Sequence, residues 1–142
     1  MASEEGFLEW RRLGSFLLLT AAGPVPQDAL ERLIKDVQRH LVKGVLAVAA
    51  GHVQMTSVQR RLVSNAFRGI PIAAIVEDRL TRGVVTAIAW LGTAIKAFQP
   101  SDVESAMDYV GVAMRDKDST REALAQLPKP TSARRSGAGL AD

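Results

Sequence analysis

"VLAVAAGHVQMTSVQRRLVSNAFRGIPIAAIV", residues 45–76, passes through two apolar patterns and returns to the first. Val45–Ala50 is a short continuous apolar run, as expected of a strand buried on both faces. The spacing then becomes helical, with Val58, Leu62, Val63, Ala66 and Phe67 on the inward side. Gly69 ends that helix. "IPIAAIV" is a buried strand again, and Pro71 is tolerated near its start. Strand, helix and strand over this length make a βαβ unit, whose right-handed crossover leaves the two strands parallel.

The same alternation extends in both directions. "SFLLLTAA" (15–22) is another buried strand, and the alternating "FLEWRRL" before it, with Gly14 as the turn, predicts an antiparallel edge strand. "GPVPQDALERLIKDVQRHLVKG" predicts a helix with Pro26 in its first turn, Asp28 at the positive dipole end and Gly44 as C-terminal cap. Its core-facing stripe is Leu30, Leu33, Ile34, Val37 and Leu41. Downstream, "DRLTRGVVTAIAWLG" is helical, with Leu80, Val84, Val85, Ile88 and Leu91 on adjacent faces. "TAIKAF" is a fourth buried strand, and Ser101 with Glu104 forms a capping box for a last helix. The fold expected is α/β: a four- to five-stranded, mainly parallel sheet with an N-terminal edge strand and helices on its faces. Residues 1–115 make that domain. Residues 116–142 are read as an extension, with a loose helix capped by Ser119 and Glu122, and disorder from about 128 onward.

With 142 residues and a net charge of +3, one domain is expected. From Lys117 onward five basic residues face three acidic ones, so the body is nearly neutral, which argues against nucleic acid as a partner. The chain has no cysteine, so thiolate chemistry is excluded. "MASEEGFLEW" does not read as a signal peptide and no apolar run is long enough to span a membrane, so the expected location is the cytoplasm. No phosphate-cradling glycine motif, G-x-S-x-G elbow or histidine metal spacing is present. No cofactor or metal is expected, and a non-enzymatic role is favoured. Glu77 and Asp78 are read as acidic residues at a helix start, and His52 as a loop histidine with a local hydrogen bond.

Thr56 and Gln59 form a T-x-x-Q capping box, which explains Thr56. Ser57 then falls in the first helical turn, where a phosphate would meet unsatisfied amides and change the local charge by about −1.5 to −2. Here the chain resembles the STAS domain of sulfate transporters and anti-sigma factor antagonists, over roughly Phe7 to Ala113. In that family a strand, a short loop and a D-S-S-G-L or D-S-T-G-L motif lead into the second helix. "VLAVAAGHVQMTSVQRRLV" is similar to that region, and "GIPIAAIV" and "GTAIKAFQPSDVESAMDYV" are similar to the closing segments. Met55 stands in place of the motif's aspartate and Val58 in place of its glycine, while Thr56 and Ser57 match the two hydroxyl positions.

The resemblance implies a protein-binding regulatory module whose partner is a serine kinase or anti-sigma-type regulator. Ser57 is its candidate phosphorylation site, with Thr56 beside it. The expected docking surface is Val53, Gln54, Met55, Thr56, Ser57, Gln59, Arg60 and Arg61, with Glu77, Asp78, Arg79 and Arg82 alongside. The basic residues Arg32, Lys35, Arg39 and Lys43 are read as a solvated helix face. The third helix is apolar nearly all round, so Val84, Ile88 and Trp90 are candidates for self-association as a homo-oligomer, with Phe7 and Trp10 contributing. A competing reading uses that helix to bind an apolar ligand or a membrane surface. A third makes the domain a degenerate STAS scaffold in a larger complex.

Overall fold

A computed structural model of the chain describes residues 6–128. In chain order the elements are β1 (Phe7–Leu13), β2 (Phe16–Pro24), α1 (Gln27–Arg39), β3 (Gly44–Gln54), α2 (Ser57–Ala66), β4 (Ile72–Ile75), α3 (Arg79–Trp90), β5 (Ile95–Phe98), α4 (Val103–Val110) and α5 (Lys117–Ala125). The five strands lie in chain order across one sheet. β1 is antiparallel to β2, and every later pair is parallel, in registers such as Leu17↔Val45, Val45↔Ile72 and Ile72↔Ile95. The fold class expected from the sequence is the one found.

Right-handed crossovers that all step the same way place their helices on one face, and α1, α2 and α3 do share one. Leu30 and Leu33 of α1, Val63 of α2 with Phe67 at its C-cap, and Ile88 of α3 enclose a core with Leu17, Val45 and Ile72. Side chains alternate along a strand, so the neighbouring Leu18, Leu46 and Ala73 point the other way. They meet Ala106, Met107 and Val110 of α4 in a second core, which Leu127 closes beyond α5.

Several boundaries differ from expectation. α1 stops at Arg39, one turn short, and leaves Leu41 73% exposed rather than on the inward stripe. Gly44 is not its cap but the first residue of β3. A methyl group there would sit 2.9 Å from Val110 Cβ and 3.0 Å from the Val110 carbonyl oxygen, so the glycine serves the close approach of α4. Pro26 flanks α1 as its N-cap residue instead of entering its first turn. The Ser101–Glu104 capping box does not form, because Pro100–Asp102 makes a 3-10 turn that runs straight into α4. Glu104 instead pairs with Lys117 at 3.4 Å, and Asp108 holds the same ammonium group. Those pairs fasten α5 to α4, so the packed unit continues past residue 115. Ser119 lies inside α5, where its hydroxyl donates to the Asp116 carbonyl at 3.1 Å rather than capping. The tail from about 128, read as disordered, falls almost wholly outside the described residues.

On the edge strand, Phe7 is buried and Trp10 donates its indole N–H to Asp36 of α1 at 2.9 Å. Both residues therefore help to bind β1 to its own domain, with Trp10 still half-exposed.

Candidate functional site

The carboxyl ends of parallel strands are where α/β sheets gather their loops. Here the ends of β3 and β4 are tied to each other. The register between β2 and β3 shifts between Ala21↔Ala49 and Gly23↔Val53, so β3 carries extra residues at Ala50–His52. Gly51 takes φ +114° within that bulge, a conformation glycine allows. The bulge turns His52 toward the start of α3. Its Nδ1 lies 2.8 Å from Asp78 Oδ2. An ionised carboxylate can only accept, so Nδ1 carries the proton and donates.

Asp78 is the N-cap of α3. It accepts from the Thr81 backbone N–H and the Thr81 hydroxyl, both at 3.0 Å. Thr81 Oγ1 in turn accepts from the Val53 N–H at 3.0 Å. The Thr81 backbone N–H is the main cause that holds the Asp78 carboxyl at about 2, against 3.8 ordinarily. Partial desolvation opposes it, and the Thr81 hydroxyl and His52 add to the lowering. One carboxylate therefore joins the β3 bulge, the exit from β3 and the first turn of α3.

The adjoining start of α2 is equally fixed. Thr56 Oγ1 accepts from the Gln59 N–H at 3.0 Å, and Gln59 Oε1 accepts from the Thr56 N–H at 3.1 Å, which completes the expected capping box. The Gln59 amide also donates to the Val25 carbonyl and to Gln27, reaching the loop before α1. Arg60 donates to the Met55 carbonyl at 2.8 Å across the turn.

The docking residues expected from the sequence therefore divide. Val53 and Gln59 are buried and hold the loop from within. Met55, Arg60 and Arg82 are half-buried, and Asp78 is occupied by its network. Gln54, Thr56, Ser57, Arg61, Glu77 and Arg79 are exposed. Two apolar side chains join them: Val58, 61% exposed rather than on the inward side expected of it, and Leu80, 68% exposed. They stand on the first turns of α2 and α3, at the ends of neighbouring strands. The candidates on α3 divide as well. Trp90 is 83% exposed, Val84 is half-buried, and Ile88 points into the core at 4% exposure, so the three do not share an outer surface.

The pairing of His52 with Asp78 was not legible in advance. The histidine's partner lies on the next loop and not nearby in sequence. The D-x-x-T spacing at Asp78–Thr81 was the one available signal, and it speaks only for the cap. Among the described residues no hydroxyl is hydrogen-bonded to His52, and no group of three or more His, Asp or Glu gathers as a metal site. No described helix is long and apolar enough to cross a membrane.

No family model matches this chain, and no curated protein matches it. Among solved structures, the anti-sigma factor antagonist SpoIIAA in its unphosphorylated form is similar, with a TM-score of 0.51 at 11% identity. The likeness covers 72% of this chain and 96% of that one. At that identity it is the fold that is shared, and the STAS-like architecture implied by the strand–loop–hydroxyl pattern is the one present.

Proposed function

We propose that this chain is a non-enzymatic cytoplasmic regulatory module that binds another protein through the exposed ends of β3–α2 and β4–α3, and that phosphorylation of Ser57 releases the partner. The observation that carries this reading is the position of Ser57. It stands exposed on the first turn of α2, outside the hydrogen bonds by which Thr56 and Gln59 cap the helix. A phosphate can be added there without undoing the cap, close to the positive end of the helix dipole. Around it lies a surface of mixed character, with Val58 and Leu80 as apolar anchors and Arg61 and Arg79 as charged neighbours. The likeness to an anti-sigma factor antagonist supports a serine kinase or anti-sigma-type regulator as the partner. Adding about −1.5 to −2 charge to such a surface is enough to disrupt docking.

The test is cross-linking in the native cells, with partners and phosphosites mapped by mass spectrometry for wild type, Ser57→Ala and Ser57→Asp. Wild type and Ser57→Ala should recover the same kinase or anti-sigma-type partner. Ser57→Asp should lose it by about tenfold or more, with its helical content unchanged by circular dichroism. Equal recovery by Ser57→Asp would overturn the switch.

A further inference from the structure

Between the sheet and α3 the first core is not filled. A pocket of about 120 Å³, partly open to solvent, lies there, lined by residues from all five strands on one side and by α1, α2 and α3 on the other. Its cause is visible in the strands. On this face β2, β3 and β4 present Ala21, Ala47, Ala49 and Ala74, where longer side chains would reach the helices. Ala47 and Ala49 sit on the middle strand of five, under a layer of helices, and are still only half-buried. The space beside them is the cavity.

We propose that this cavity is a binding site for a small, neutral, apolar molecule of about benzene size. Three observations select that chemistry. The accessible surface of the wall is apolar throughout, since the one hydroxyl among its residues, Thr81, is engaged by Asp78 and the Val53 N–H, so a polar or charged ligand would lose its hydrogen bonds to water and gain none. Water itself is a poor occupant, because it needs two to four polar partners, and apolar cavities of about 150 Å³ stay dry and take up benzene. The volume then matches a molecule of about benzene size. The outer apolar surface at Trp90 is separate, since that ring is exposed on the last residue of α3 and does not line the pocket, while Val84, Val85 and Ile88 do.

The site also touches the loop described above. Val53 and Met55 line it, and these residues lead into the cap of α2; Thr81, which holds the Val53 N–H, lines it as well. A bound molecule would press directly on the segment that carries Ser57. Binding itself does not depend on the docking reading: a Ser57→Asp variant should take up the ligand as wild type does.

The test titrates benzene into the full chain, with the methyl groups of Ile, Leu and Val followed by NMR. Saturable shifts are expected at Val53, Val63, Ile72, Val84 and Ile88, with Val110 and Val112 on the opposite face unmoved. The melting temperature should rise with benzene concentration. Ala47→Leu should weaken binding by about tenfold or more by filling the space. Ala74→Val is the smaller filling change and should weaken binding in the same direction if Ala47→Leu does not fold. Absence of saturation up to the solubility of benzene would overturn the proposal. So would undiminished binding in the folded filled variant, or shifts centred on Trp90.

Discussion

The two faces of the sheet are packed by different means. On the α4 side, Leu18, Leu46, Ala73, Ala106 and Met107 have no solvent exposure at all, and Gly44 lets the helix approach the strands directly. On the side of α1–α3, the same strands offer alanines to three helices and a cavity remains. The first arrangement makes full use of dispersion contacts. The second forgoes part of them on the face whose loops carry the candidate docking surface. The contrast sets a fully packed face against one with room left in it.

The largest expected effect lies on the tight face. Met107→Ala should lower stability by about 2–5 kcal/mol, since no neighbouring group is free to fill the hole. Chemical denaturation measures this, and a loss under 1 kcal/mol would mean that the α4 face relaxes after all (about the size expected only of conservative core changes). Next comes a matched pair of enlargements. Ala73→Leu, against α4, should cost about 1–3 kcal/mol or more through overpacking, whereas Ala47→Leu, against the cavity, should be near neutral or stabilising. Equal losses in the two melting curves would erase the distinction between the faces.

The smallest effect is electrostatic and places the two sides at opposite ends of the pH scale. The Asp78 carboxyl is lowered from 3.8 to about 2, so its contribution is complete above 3.8 and is lost as pH falls toward 2. Lys117 is raised above 10.5, first by its hydrogen bond to Asp108 and also by Glu104, with desolvation opposing. Its contribution is complete below 10.5 and is lost as pH rises through the higher value. Asp78→Asn should flatten the acid limb of a stability–pH curve and leave the alkaline limb intact, while Lys117→Met should do the reverse. An unchanged acid limb in Asp78→Asn would remove the His52–Asp78–Thr81 network from the forces that hold the loops.

The βα alternation was legible because a buried strand and an amphipathic helix impose different apolar periods, and both periods recur along the chain. The errors fall where a distant contact decides. Leu41 continues the arithmetic of the α1 stripe, but the helix ends before it. Gly44 reads as a helix cap until the approach of Val110 is known. Ser101 and Glu104 have the right spacing, but Pro100 commits the turn and Lys117 claims the glutamate. The capping box at Thr56 is local and was readable in full. The partner of His52 and the cavity were not. An alanine in a buried strand counts as apolar whether or not anything packs against it.

The strands also lie in the order in which they are synthesised. Each parallel strand meets an edge already laid down, and no pairing waits for a distant segment, which keeps the search for contacts short. The α4 face is the exception to this economy of search. Leu18, Leu46 and Ala73 emerge early, while the residues that cover them, from Ala106 to Leu127, follow only after all five strands. During translation the face that is tightest in the finished protein is the one left bare, and an arrested or truncated chain exposes it as a surface for aggregation.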